Sequence, residues 1–234
     1  MIALISDIHS NLEALNRVME EIDRLGVERI WCLGDVVGYG ADPNRCCEIV
    51  RERCELVIAG NHDWAVLDKT DITYFNPVAK EAVLWTRREL SGENREFLDR
   101  LGLKLKADQY LLVHSSPSRP EEWLYLFERE QFEEEFQAFG EPVCFIGHSH
   151  VPVIVDDELK IYGTGVNVEP NHRYIINIGS VGQPRDGDPR ASFATIEGDR
   201  IEIRRLEYDI ETAQEKIRKA GLPEFLAERL AAGR

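Results

Sequence analysis

From residue 2 onward the chain repeats one pattern: a short apolar run, a polar loop, and a stretch whose apolar side chains recur at helical spacing. Residues 2–6 form the first run. Leu12, Leu15, Val18, Met19, Ile22 and Leu25 follow three or four apart and stop at Gly26, the signature of an amphipathic helix with a glycine end. Residues 29–33, a Gly-rich loop and a helix opened by Asp42-Pro43 repeat the pattern, and residues 56–59 begin it again before another polar loop. Strands alternating with helices imply a largely parallel sheet covered by helices, with functional loops at the carboxyl ends of the strands.

The charge-rich residues 76–101, with Val78, Ala82, Val83, Trp85, Leu90, Phe97 and Leu98, predict two consecutive helices broken near Ser91-Gly92. Strands are expected at 110–113 and 143–146, separated by an aromatic, acidic segment (123–139) that is helical in its second half. Beyond His150 the character changes. Residues 151–155, 174–178, 192–196 and 201–206 are short β-branched or alternating runs between turn signals, which predicts a mostly antiparallel second half. Two charged, Ala-rich helices split by Gly221-Leu222-Pro223 close the chain. With no repeat or low-complexity linker, the sequence predicts a single α/β domain with two packed sheets over residues 1–234, of which 210–234 form a C-terminal helical extension.

The positions of the histidines carry the chemistry. Five of the six fall in polar loops that each follow an expected strand: His9, His62, His114, His148 and His150. The same loops hold Asp7, Asp35, Asn61 and Asp63, giving Asp7-Ile8-His9, Gly34-Asp35, Gly60-Asn61-His62-Asp63, His114 and Gly147-His148-Ser149-His150. Imidazole and carboxylate gathered at one sheet edge suit divalent transition metals, and seven or eight candidate ligands suit two ions better than one. A single aspartate between them could bridge both. Two cations about 3.5–4 Å apart form a clamp for in-line attack at phosphorus and lower the pKa of a bridging water.

Charge sets the class of partner. Subtracting 43 acidic from 28 basic side chains leaves −15, which disfavours long nucleic acid and anionic membrane and leaves any phosphate to be attracted by something local. The five cysteines are odd in number and include no C-x-x-C pair, so they read as reduced core thiols; with no signal peptide or bilayer-length apolar run visible, a cytoplasmic location is expected.

The five blocks together resemble those of the calcineurin-like metallophosphoesterase superfamily: Asp-x-His, Gly-Asp, Gly-Asn-His-Asp/Glu, His and Gly-His-x-His. Residues 177–188, Asn-Ile-Gly-Ser-Val-Gly-Gln-Pro-Arg-Asp-Gly-Asp, are similar to the closing segment of a small prokaryotic phosphodiesterase subfamily, often labelled diadenosine tetraphosphate hydrolase-like. The resemblance implies a four-layer α-β-β-α sandwich of two mixed sheets flanked by helices. It implies two divalent transition-metal ions (Mn, Fe, Zn, Ni or Co), one held by Asp7, His9 and His150, the other by Asn61, His114 and His148, with Asp35 bridging. It gives His62 the role of facing the substrate phosphate, to stabilise charge or protonate the leaving oxygen. Asp63 would then orient His62 and raise its pKa.

On this reading the chain hydrolyses a small phosphodiester, phosphomonoester or nucleotide polyphosphate by attack of metal-activated hydroxide. A protein serine/threonine phosphatase is the alternative enzyme, but those follow the bridging aspartate with an Asp-Arg-Gly arginine, whereas here Val36-Val37-Gly38-Tyr39-Gly40 follows Asp35. A non-catalytic interaction module of the same fold, as in the retromer subunit, is the third reading; intact ligands and His62 argue against it. Two residues are candidate substrate contacts, Asn11, also expected to cap the first helix, and Arg185, in a Gly-Pro-rich loop. His172 reads as a surface histidine. His114-Ser115-Ser116-Pro117 stands where the subfamily has His-Gly-Ser-Pro, so backbone strain is expected at Ser115. A homo-oligomer is compatible with everything above.

Overall fold

The computed structural model describes all residues, 1–234. One six-stranded sheet has the order β3-β2-β1-β11-β12-β9, built from β1 (Ile2–Ile5), β2 (Arg29–Cys32), β3 (Leu56–Val57), β9 (Gly165–Asn167), β11 (Ala191–Glu197) and β12 (Arg200–Leu206). The other has the order β4-β5-β6-β10-β7-β8, from β4 (Lys104–Ala107), β5 (Tyr110–Val113), β6 (Val143–Ile146), β7 (Val153–Asp156), β8 (Ile161–Tyr162) and β10 (Tyr174–Asn177). Both sheets are mixed. The first pairs β1 parallel to β2 and β2 parallel to β3, then β1 antiparallel to β11; the second pairs β5, β6 and β10 in parallel and β10 antiparallel to β7.

Side-chain alternation along the strands explains the layers. On β1, Leu4 points between the sheets while Ala3 and Ile5 point to the helices; on β2, Trp31 does the first and Ile30 and Cys32 the second. In the second sheet Leu112, Phe145, Tyr174 and Ile176 fill the inter-sheet core, and Leu111, Val113, Cys144, Ile146 and Ile175 face outward under Phe132 and Phe136. Strands covered on both faces must be apolar at every position, which is why these segments read as continuous rather than alternating runs.

Helices α1 (Leu12–Arg24), α2 (Pro43–Arg53), α3 (Asn61–Val66), α4 (Pro77–Glu89) and α5 (Gly92–Asp99) lie on the first-sheet side, and α6 (Arg129–Glu135) covers the second sheet. The chain closes with α7 (Ile210–Lys219) and α8 (Glu224–Ala232), which pack Ile217, Leu226 and Leu230 against Tyr39, Ala79 and Ala82. None of the helices is long and apolar enough to cross a membrane.

Two expectations need correction, and three strands carry no signal in the sequence. Residues 61–63 are the first turn of α3 rather than loop, because Asp63 accepts the Gly60 N–H in the manner of a helix cap. The second half is not simply antiparallel: β10 returns parallel to β6 in the second sheet, while β11 and β12 cross over to complete the first. The edge strands β4, β8 and β9, two to four residues long, carry too short a pattern to stand out in the sequence.

Candidate metal centre

The carboxyl ends of β1, β2, β3, β5 and β6 meet at one place. Asp7 and His9 follow β1, Asp35 follows β2, Asn61 and His62 open α3 after β3, His114 follows β5, and His148 and His150 follow β6. Main-chain bonds carry the sheet pattern into the loops: Asp7 N–H to Gly34 O, His9 N–H to Asp35 O and Ser10 N–H to Val36 O, each at 3.0 Å. Asp7, His9, Asp35, His148 and His150 all have φ between 50° and 64°. This left-handed region costs a non-glycine residue on the order of 1 kcal/mol or more, so the surrounding hydrogen bonds must hold it. Ser115, where strain was expected, has no positive φ; the strain sits on the residues that aim the donors.

Two donor groups result. One oxygen or nitrogen each from Asp7, His9, Asp35 and His150 lie within 4.8 Å of one another, as do those of Asp35, His114 and His148. Asp35 belongs to both groups. Its Oδ1 accepts the His62 N–H (2.8 Å), and its Oδ2 lies 3.5 Å from His9 Nε2 and 3.3 Å from His114 Nε2.

The hydrogen-bond accounting shows that metal ions fit here. Asp7 Oδ1, Asn61 Oδ1 and His114 Nε2 are buried without a hydrogen-bond partner, a cost the fold would otherwise bear for nothing. Around them the other atoms are committed: Asp7 Oδ2 accepts from Ser6 Oγ (2.6 Å) and the His148 N–H (3.1 Å). His114 Nδ1 donates to Leu33 O (2.7 Å), His150 Nδ1 to Gln183 O (2.6 Å) and His9 Nδ1 to Val37 O (3.2 Å). Those bonds turn each Nε2 toward the site, where the neutral imidazole presents a lone pair. His9 Nε2 and His150 Nε2 then face each other 3.0 Å apart, where two lone pairs repel unless a proton or a metal cation is shared by them. His148 is turned the other way: Nε2 donates to Trp123 O (2.8 Å), leaving Nδ1 for the site.

Electrostatics follow from burial of these groups beside each other. Burial alone would raise Asp7 and Asp35, but neighbouring histidines, His150 and His114 for Asp7 and His114 and His62 for Asp35, hold both well below the usual carboxylate range. Burial opposes charge on His114, yet Asp35 and Asp7 outweigh it and lift the group to about 9. Burial, then the charge of His114, drives His148 down to about 3. His9 and His150 are also lowered, first by burial.

His62 lines the cleft that opens over the donors, its ring 4.4 Å from Tyr39, 4.8 Å from His9 and 5.4 Å from Phe75. Its Nδ1 has no partner and faces Gly38, where a Cβ would come within 2.5 Å of it and φ is +104°. Asp63 does not orient it. The Asp63 carboxylate instead accepts three main-chain N–H groups, those of Gly60 (3.0 Å), Val36 (3.0 Å) and Val37 (3.2 Å), and so ties the turn before α3 to the loop carrying Asp35. Nor is the His62 pKa raised: burial pushes it down to about 4 against the pull of Asp35. Asp63 itself is pushed up to about 7, by burial and then by Asp35, with its backbone bonds pulling the other way.

Asn11 caps α1, accepting the Ala14 N–H (3.1 Å), and its amide donates to Gly182 O (2.8 Å) and Tyr208 Oη (3.2 Å), so both ends of the side chain are already engaged. Arg185 reaches the site edge, donating to Gln183 Oε1 (2.9 Å) and Tyr39 Oη (3.4 Å). His172 pairs with Asp157 (3.1 Å) away from the donors. Sequence reasoning missed three aromatic residues: Tyr39, against His9 and His62; Trp123, whose carbonyl fixes His148; and Tyr125, stacked on His148 at 4.1 Å. A carbonyl contact and ring stacking leave no spacing signal, although Tyr39 stands in the stretch that departs from the protein-phosphatase pattern.

A family model described as the calcineurin-like phosphoesterase superfamily domain matches residues 1–200. The chain belongs to that superfamily. The uncharacterized protein MJ0912 of Methanocaldococcus jannaschii is 45% identical over 242 residues, covering 100% of this chain and 98% of that one. The crystal structure of a metallophosphoesterase from Sphaerobacter thermophilus superposes with a TM-score of 0.90 at 42% identity, covering 100% of this chain and 98% of that one. The Pyrococcus horikoshii OT3 protein PH1004 shares the fold with a TM-score of 0.83 at 20% identity, with 100% and 99% covered. As a calcineurin-like phosphoesterase the chain is a metal-dependent phosphoric ester hydrolase with two mixed sheets between helical layers, and its Asp and His groups are suited to binding metal.

Proposed function

We propose that the chain hydrolyses a small phosphodiester, phosphomonoester or nucleotide polyphosphate at a dinuclear centre. The observation that carries this reading is Asp35, shared by two donor groups whose orphaned atoms lack any protein partner. Asp7, His9 and His150 would hold one divalent ion, Asn61, His114 and His148 the other, and Asp35 both; imidazole, carboxylate and amide donors suit Mn, Fe, Zn, Ni or Co. Such a pair, when bound, supplies Lewis-acid polarisation at phosphorus and lowers the pKa of water.

The protein's part is placement and proton control. With no acceptor at Nδ1, the His62 hydrogen is best carried on Nε2, in the cleft, where it donates to a phosphoryl or leaving oxygen. At neutral pH the ring is uncharged before substrate arrives, since burial holds it near 4; a bound phosphate anion favours its protonation. The loops clamped by Asp63 hold His62 and Asp35 in register. The cleft has a volume of about 570 Å³ and is lined by Asp71, Glu121 and Glu122 with no lysine or arginine, a size and charge that support a small ester over a phosphoprotein or long nucleic acid. Reduced core thiols support a cytoplasmic location.

The test is hydrolysis of bis(p-nitrophenyl) phosphate, p-nitrophenyl phosphate and diadenosine tetraphosphate by metal-stripped protein reloaded with Mn²⁺. Turnover of at least one, lost on chelation, supports the reading. No turnover of any of them with any of the five metals would favour the non-catalytic module.

A further inference from the structure

Beside the centre, two arginines share one aromatic ring. Arg185 lies with its guanidinium carbon 5.7 Å from the centroid of Tyr39, and Arg229 lies 5.9 Å from the same centroid. Tyr39 in turn packs 4.6 Å from His9 and 4.4 Å from His62. Many arginines of this acidic chain are paired with side-chain carboxylates, as Arg24 is with Glu21 and Arg29 with Glu55 and Asp108. These two are not. Arg185 spends Nε and one terminal nitrogen on Gln183 and Tyr39, and Arg229 spends Nε on a main-chain oxygen of Arg234, which leaves Nη1 of Arg185 and both terminal nitrogens of Arg229 without a protein acceptor.

We propose that Arg185 and Arg229 form an anion subsite that takes a second phosphate group of the substrate, next to the one being cleaved. The proposal rests on the phosphoesterase reading and narrows its substrate class to esters carrying a further phosphate. Bringing two guanidiniums to one ring costs energy through like-charge repulsion and desolvation, and a bound anion returns it. Arg229 remains a cation at neutral pH although burial, then Arg185, pushes it down to about 10. Planar forks of N–H donors match phosphate oxygens better than a point charge would. The cleft itself is lined by Asp71, Glu121 and Glu122 and by no lysine or arginine, so a second phosphate finds its cations beside Tyr39, which lines the cleft.

The element that brings Arg229 here supports a role in specificity. The family model ends at residue 200, whereas α8 lies beyond it and is docked by Leu226 and Leu230 onto the cluster containing Tyr39. Arg229 thus lies outside the matched domain. A structural role alone would rest on its stacking over Phe225 and its bond to a main-chain oxygen of Arg234.

The experiment compares p-nitrophenyl propyl phosphate with p-nitrophenyl 3-phosphopropyl phosphate on Mn²⁺-loaded protein, and titrates inorganic pyrophosphate into the metal-free protein by calorimetry. In the wild type the second phosphate should lower KM; Arg229→Ala should raise KM for that ester about tenfold or more, with kcat and the propyl ester little changed. Pyrophosphate should bind more weakly by a similar factor, and Arg229→Lys should recover part of both. Arg229→Gln, which keeps the stem and an amide donor, replaces the alanine variant if that one fails to fold. Equal KM for the two esters in the wild type, or an unchanged KM ratio and pyrophosphate affinity in a variant of normal thermal stability, overturns the subsite while leaving the phosphoesterase reading intact. If neither ester is hydrolysed, that reading fails, and the pyrophosphate comparison alone decides whether the subsite exists.

Discussion

His114 is fully buried between two carboxylates and holds a proton in the metal-free chain, its pKa lifted to about 9 by Asp35 and Asp7 against burial. A ligand histidine must be neutral, so metal uptake below that pH has to expel the proton. We expect metal affinity to rise as pH increases toward about 9 and uptake at pH 7 to release protons, seen as a binding enthalpy that varies with the ionisation enthalpy of the buffer. Uptake without proton release would contradict the protonated His114. His62 belongs to the other class, a cleft residue outside both donor groups. His62→Ala should keep its metal and lose about 10²- to 10⁴-fold in turnover, most with alkyl or ribosyl leaving groups, since p-nitrophenolate needs little protonation. Loss of metal from this variant, or near-normal turnover on a poor leaving group, would show that the assignment is wrong.

The difference between what could and could not be read in advance is clearest at the level of elements. Strands buried on both faces, such as β1 and β6, announce themselves as apolar runs, and the polar loops after them place Asp7, His9, His148 and His150 by sequence position alone. Asp63 is different. Adjacency to His62 suggested a side-chain pair, but the first turn of α3 points the carboxylate back at main-chain donors, a direction set by helical geometry that a loop reading does not contain. Likewise the sheet that each late strand joins depends on long-range pairing, and Arg229 reaches Tyr39 only because α8 folds back. The reassigned role makes its own prediction. Asp63→Ala should leave three buried N–H groups without acceptors, each costing about 1–3 kcal/mol, and so lower the melting temperature of the metal-free protein markedly. An aspartate that only tuned His62 would cut activity and leave stability unchanged.

At the scale of the whole molecule, loops of the first sheet contribute Asp7, His9, Asp35 and Asn61 and loops of the second contribute His114, His148 and His150 to a place where both sheets end, in a chain of net charge −15. A polyanion approaching that surface is repelled before it meets the local cations, so kcat/KM on a phosphopeptide should fall far below that on the best small phosphoester and should improve with added salt. Asp35 has to serve both donor groups at once. Metal content of stripped and reloaded protein, measured by elemental analysis after removal of loosely held ions, addresses this directly for the wild type and Asp35→Asn. We expect close to two ions per chain in the wild type and a clear drop to one or fewer in the variant; a wild-type value that stays at or below one, or a variant that holds as much metal as the wild type, would contradict a shared dinuclear centre.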